Sequence, residues 1–234
     1  RRILKEVFRN LGMTFMEVAR FPRVDEQYVK RWIRIDPESL KRVEKAQASG
    51  RGVIFLTAHF GNWELGNIVP ALYGYPTLVL VREQGWPRLN ALLRQHRESK
   101  GSRVVTKGFP IRQLIRGLKE GRVVGILSDQ DNGRRGVLAP FFGRLCSTAP
   151  GAIALGLSTG APILPIFVVR QRGAAHAVVV EDPISIPKDL PLKEQIQTGI
   201  ASYLAVLERT IRRHPAQWLW LHRRWKSSPQ RNLI

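Results

Sequence analysis

Residues 53–64 read Val53-Ile54-Phe55-Leu56-Thr57-Ala58-His59-Phe60-Gly61-Asn62-Trp63-Glu64. The run 53–57 is apolar and β-prone without a polar interruption, as in a strand buried on both faces. Gly61 permits a tight turn, Asn62 can cap a helix, and 62–73 continues as a helix. Strand, loop and helix in that order make the repeating unit of a parallel sheet. The same texture extends outward. Downstream, the pattern predicts a strand at 77–82, a helix at 89–100 ended by Gly101, and a strand at 103–106. A helix at 111–120 ended by Gly121 and a strand at 123–127 come next, then a helix at 149–159 ended by Gly160. Strands at 163–170 and 176–181 and a long helix at 192–213 complete the series. Upstream, Asp36-Pro37 opens a helix at 38–49 that Gly50 stops. The expected fold is α/β: a central, largely parallel mixed sheet flanked by helices on both faces. In such sheets ligands bind beyond the carboxyl ends of the strands, which directs attention to the residues just past Thr57 and Leu127.

No repeat, low-complexity tract or linker divides the 234 residues, so 1–234 reads as a single domain with an N-terminal helical segment at 1–50. That segment is amphipathic. Ile3, Leu4, Val7, Phe8, Leu11, Phe15 and Val18 recur at three- and four-residue steps, flanked by Arg1, Arg2, Lys5, Arg9 and Arg20. Such a helix can lie on an anionic membrane or cover the protein's own core. No stretch approaches the roughly 18 to 20 continuous apolar residues of a membrane span, the longest uninterrupted run being 161–169. The chain opens Arg1-Arg2 without a Met, and the segment 1–50 is expected to pack on, or lead from, a membrane anchor missing from this chain.

Apolar residues make up 44% of the chain, enough for a real core, which rules out wholesale disorder. The one cysteine, Cys146, excludes an intramolecular disulfide and a cysteine zinc cluster. Lys plus Arg is 38 against 18 Asp plus Glu, a net charge of +20. This points to an anionic partner, or to a solvated face in an Arg-rich protein. The 28 Arg against 10 Lys favour bidentate contact with phosphate or carboxylate.

His59 stands just past a strand end, with Glu64 five residues on in the first turn of the next helix. A carboxylate that folds back on the imidazole would fix its tautomer and make it a general base. No Ser or Cys with the surroundings of an activated nucleophile lies near. The substrate, then, is expected to supply a hydroxyl, which His59 deprotonates as it attacks an activated acyl group. Two ligands are too few for zinc, and no metal site is expected.

The stretch 57–64 closely resembles the H-x4-D/E block of the bacterial lipid A biosynthesis acyltransferases, the late or secondary acyltransferases of the glycerolipid acyltransferase superfamily. Three more blocks resemble that family in the same order. They are Leu127-Ser128-Asp129-Gln130-Asp131, then Pro140-Phe141-Phe142-Gly143 through Thr148 with 151–162, and Pro215-Ala216-Gln217-Trp218-Leu219-Trp220-Leu221-His222-Arg223-Arg224-Trp225. The resemblance implies a glycerolipid-acyltransferase-like fold. It also implies transfer of a fatty acyl chain from an acyl carrier protein thioester, or from acyl-CoA in some branches, to a hydroxyl of a lipid A precursor. No cofactor is implied, and the place of action would be the cytoplasmic face of the bacterial inner membrane.

By the same resemblance, His59 is the base and Glu64 orients it, with Arg97 and Asp129 completing the catalytic set. Asn62, Phe141, Phe142, Arg223 and Arg224 are the substrate-facing candidates, the Phe pair as an acyl-groove wall. The expected partners are the acyl donor, a glycolipid acceptor and an anionic membrane surface. An acyltransferase for another glycolipid, such as a mannosylated phosphoinositide, using acyl-CoA, is the alternative. A nucleic-acid-binding module would explain the charge and the Trp-Arg tail. It would leave His59 and Glu64 unexplained, and no zinc-finger, RNP or clear helix-turn-helix signature occurs, so no nucleic acid is expected. Intact His59 and Glu64 also argue against an inactive membrane scaffold.

Overall fold

A computed structural model describes residues 2–81, 85–106 and 110–229; Arg1, and the Arg82 end of the expected strand 77–82, lie outside them. The α-helices are α1 (Arg2–Ala19), α2 (Glu26–Trp32), α3 (Pro37–Gln47), α4 (Trp63–Leu72), α5 (Pro87–Glu98), α6 (Pro110–Lys119), α7 (Gly151–Thr159) and α8 (Leu192–Arg213). The strands are β1 (Ile33–Ile35), β2 (Val53–Thr57), β3 (Thr77–Leu80), β4 (Ser102–Val105), β5 (Val123–Leu127), β6 (Val137–Phe141), β7 (Arg144–Thr148), β8 (Ile163–Arg170) and β9 (His176–Val180). Seven strands form one sheet in the order β1-β9-β8-β2-β5-β3-β4. Every pairing in it is parallel except β8 with β9, so the sheet is mixed but largely parallel.

The apolar strand runs are buried on both faces. Ile54, Leu56, Val124 and Ile126 point into a core completed by α6, α7 and α8. Val53, Phe55, Leu164, Ile166 and Val168 point into the other, under α2, α3 and α4. The start of α3 is capped: Asp36 accepts the amide of Ser39 at 2.9 Å, with Pro37 at the first helical position. Gly160 ends α7 in the left-handed conformation.

Two features depart from the sequence reading. The first is β1, which comes after α2 and joins the sheet edge beside β9; three residues are too few for periodicity to register. The second is the β6–β7 hairpin over 137–148. Its two turn residues, Phe142 and Gly143, both have positive φ, 50° and 73°. That is the primed turn geometry, but Phe is an unusual residue for the first position, so the turn signal is masked.

The apolar stripe of α1 also behaves unexpectedly. Ile3, Leu4, Phe8, Phe15 and Met16 are 51–68% exposed, while the buried positions are Val7, Asn10 and Thr14. The helix turns a partly polar face inward. The reason is Arg170 at the end of β8: its buried guanidinium needs acceptors, and α1 supplies them.

Candidate active site

Strands β2 and β5 are parallel neighbours with Thr57 opposite Leu127. Two residues beyond each lie His59 and Asp129, so the register of the sheet brings them together at one edge. Asp129 Oδ1 is 2.8 Å from His59 Nδ1, and Asp129 Oδ2 accepts the backbone N–H of His59 at 2.9 Å. Oδ2 also accepts the indole N–H of Trp218 at 3.0 Å. Desolvation works to raise the Asp129 pKa, but the His59 charge and these hydrogen bonds outweigh it and hold the carboxyl below its ordinary range. An ionised carboxylate only accepts, so His59 Nδ1 carries the proton and Nε2 keeps its lone pair. Among the described residues none hydrogen-bonds Nε2, and the side chain is 23% exposed. Desolvation lowers the His59 pKa, yet the charge and hydrogen bond of Asp129, with the charge of Glu64, leave it raised overall.

Glu64 lies elsewhere than expected. Its carboxylate receives Arg97 Nη2 at 2.8 Å on Oε1, and Arg97 Nε at 3.0 Å and Asn67 Nδ2 at 3.1 Å on Oε2. Glu64 and Arg97 are each 8% exposed, a buried bidentate pair between the first turn of α4 and the last turn of α5. The residue that bonds the His59 ring is therefore Asp129, and Glu64 reaches it only through its charge. The sequence spacing favoured Glu64 because it is near in sequence, whereas Asp129 is near only once β2 and β5 pair.

The loop between His59 and Glu64 is gripped from three sides. Gly61, at φ 56°, sits so close to β8 that a Cβ would fall 1.8 Å from the Val168 carbonyl oxygen. Its N–H donates to the Gln217 carbonyl at 2.8 Å, and the Leu219 N–H donates to the His59 carbonyl at 3.0 Å. Its own carbonyl accepts the Thr14 hydroxyl at 3.2 Å and Asn10 Nδ2 at 3.5 Å. Behind these, Arg170 Nε donates to Asn10 Oδ1 at 2.7 Å and Nη2 to Thr14 Oγ1 at 3.0 Å. Arg170 also pairs with Glu17 through both Nη1 and Nη2. His176, fully buried, has Nε2 3.6 Å from Glu17 and no hydrogen bond to it. Burial, with the Arg170 charge adding to it, pushes the His176 pKa down to about 4.

Three substrate-facing candidates are corrected. Asn62 is fully buried: Oδ1 accepts the Leu65 N–H at 3.1 Å and Nδ2 donates to Glu17 at 2.6 Å, so it shapes the loop. Arg224 is 0% exposed and donates to the carbonyls of Gln130 and Ser147 and to Thr148 Oγ1. It ties the tail to the segment after β5 and to β7. Phe141 is equally buried, stacked on Trp225 at 5.7 Å and edge-on to Trp218 at 5.6 Å. The aromatic tail thus packs inward, as large apolar rings do when a core is available. Phe142, half-buried beneath the Arg212 guanidinium, and exposed Arg223 keep outward access.

The residues missed from sequence are Trp218 as a partner of Asp129, and Asn10, Thr14, Glu17 and Arg170. The signal for the α1 trio was present: polar residues at positions 10, 14 and 17 fall on one helical face. Among the described residues no cluster of three His, Cys, Asp or Glu is arranged to hold a metal. Ser128 donates to the Ala149 carbonyl, and burial pushes the Cys146 thiol up, so neither is an activated nucleophile. The arrangement suits removal of a proton from an incoming hydroxyl.

A family model described as bacterial lipid A biosynthesis acyltransferase matches residues 1–227. A lipid A biosynthesis palmitoleoyltransferase of Escherichia coli (strain K12) is 30% identical over 97% of this chain and 72% of its own. A lipid A biosynthesis lauroyltransferase of the same organism is 27% identical over 98% and 74%. A phosphatidylinositol mannoside acyltransferase of Mycobacterium tuberculosis (strain ATCC 25618 / H37Rv) is 26% identical over 92% and 67%.

Proposed function

The chain belongs to the bacterial lipid A biosynthesis acyltransferase family and is an acyltransferase, and on that basis we propose that it acylates a hydroxyl of a lipid A precursor with His59 as general base and Asp129 as the group that orients it. His59 Nε2 takes the proton of the acceptor hydroxyl as its oxygen attacks the thioester carbonyl. The tetrahedral intermediate collapses, the C–S bond breaks, and the imidazolium returns the proton to the departing thiolate. The observation that carries this is the 2.8 Å contact of His59 Nδ1 with Asp129 Oδ1 beyond two paired strands. It leaves Nε2 as the basic nitrogen in a partly exposed position. Glu64 fixes Arg97 and adds negative charge near the ring, which raises its proton affinity.

The donor is proposed to be an acyl carrier protein thioester, an acidic partner suited to a chain of net charge +20. The place of action is proposed to be the cytoplasmic face of the inner membrane. Among the described residues no helix is long and apolar enough to cross a membrane. The exposed Leu4, Phe8 and Phe15 of α1, with Lys5 and Arg9 beside them, suit contact with an anionic lipid surface. The mannoside acyltransferase relative favours a second reading, a different glycolipid acceptor; the donor proposed with it is acyl-CoA.

The test is acyl transfer by purified protein in detergent, offering a lipid A precursor or a phosphatidylinositol mannoside with labelled acyl carrier protein or acyl-CoA. Label on the lipid A precursor from the carrier protein, lost in His59→Ala, is the expected result. Label on the mannoside alone, from acyl-CoA, would establish the second reading instead.

A further inference from the structure

The two oxygens of Asp129 have different partners. Oδ1 faces the His59 ring alone, at 2.8 Å. Oδ2 accepts two N–H groups, the His59 amide at 2.9 Å and the Trp218 indole at 3.0 Å. A carboxylate is free to rotate unless donors hold it, and the His59 amide alone leaves it one pivot. The indole supplies the second fixed point.

We propose that Trp218 is a positioning residue for proton transfer at His59, its indole N–H locking the Asp129 carboxylate so that Oδ1 serves the imidazole. This rests on the reading of His59 as the base. The indole is itself immobilised. It is 1% exposed and packs against the rings of Phe141, Trp220 and Trp225 at 5.6, 4.7 and 6.4 Å. Its backbone bridges to Phe60, and the residues on either side bond the catalytic loop, Gln217 to Gly61 and Leu219 to His59. One short segment, 89 positions after Asp129, therefore fixes both the loop that carries the base and the carboxylate that orients it.

The indole has an electrostatic effect with a definite sign. A donor on Oδ2 draws negative charge away from Oδ1. Without it the carboxylate binds a neighbouring cation more strongly, and the imidazolium is favoured. Among the described residues, the other charged or titratable groups that act electrostatically on His59 are Glu64 and His222, and Tyr203 interacts with Asp129. All three stay in place when only position 218 changes.

The experiment compares Trp218→Phe with benzothienylalanine installed at 218, which keeps the shape of the indole but replaces the N–H by sulfur. Acyl transfer is measured against pH, together with the thermal midpoint. The expected result in both variants is a kcat lower by about tenfold or more, with KM within about twofold. The acid limb of kcat/KM is expected to move up by about half a pH unit. A purely structural indole would move neither the acid limb nor the kcat of the isosteric variant, and that outcome overturns the proposal. If Trp218→Phe does not fold, the isosteric variant alone decides. His59→Ala is run alongside: full activity there overturns the base assignment and this proposal with it. An inactive His59→Ala beside an unaltered isosteric variant removes only the role of Trp218.

Discussion

The buried Arg170 at the end of β8 and the part-buried Glu17 in the last turn of α1 form an ion pair across 153 positions of sequence. Around it Asn10, Thr14 and Asn62 complete a polar cluster directly behind the loop that carries His59. A cluster of this kind is costly to break from one side, because the remaining charge is left in a dry site. Arg170→Met or Glu17→Gln alone is expected to cost about 3–5 kcal/mol, and the double change less than the sum of the two. Chemical denaturation of the four proteins, read as a double-mutant cycle, checks this; simple additivity would show that the pair is not coupled.

With His59 as the proposed base, the pH dependence of catalysis follows its pairing with Asp129. A base must be neutral to act, and the His59 pKa is raised by its partner. The acid limb of kcat/KM should therefore sit above the ordinary histidine value. Asp129→Asn removes the charge, so the limb should move down. Loss of the correct tautomer should lower kcat by about 10³–10⁴. The linked stability has the opposite sense to that of a paired carboxylate. The His59 contribution is fully present below the unfolded pKa and fades as pH rises through the folded one. A pH–rate profile of both proteins tests the shift, and an unmoved limb would assign it to another group.

His176 titrates in the other direction. Its folded pKa of about 4 lies below the ordinary value of 6.5, so the unfolded chain binds the proton more readily. Stability should be full above about pH 6.5 and fall on acidification towards pH 4, by roughly 3 kcal/mol at most from this residue. His176→Gln should flatten that part of the stability curve. An unchanged acid slope would place the sensitivity elsewhere.

Glu64 and Arg97 form a buried pair. Glu64→Ala leaves the Arg97 charge without its bidentate partner and takes negative charge away from His59. The expected consequence is a stability loss of about 3 kcal/mol, with the acid limb displaced less than in Asp129→Asn. If the displacement equals that of Asp129→Asn, Glu64 acts on the ring as strongly as Asp129 does.

The outer face of α1 is open to direct test. Phe8 and Phe15 are more than half exposed, so Phe8→Ser with Phe15→Ser should leave the thermal midpoint nearly unchanged. Sedimentation with anionic vesicles should weaken about tenfold or more, because each ring would bury on the lipid. Equal vesicle binding would rule out this face as the lipid contact.

The sheet and the candidate base were legible in the linear chain. Runs such as 53–56 and 163–169 are continuously apolar, as strands covered on both sides are. His59 stood out because it comes directly after such a run, with Gly61 beside it. Periodicity and turn chemistry are local, so a linear reading recovers them. Which partner each polar group meets is settled only by folding. Asp129 reaches His59 through the pairing of β2 with β5, and Trp218 reaches Asp129 from a segment beyond α8. Arg97 draws Glu64 to itself, and Arg170 turns the polar side of α1 inward. Hydrogen bonds and ion pairs act over a few ångströms, and residues dozens of positions apart come within that range only when the sheet register and helix packing are set.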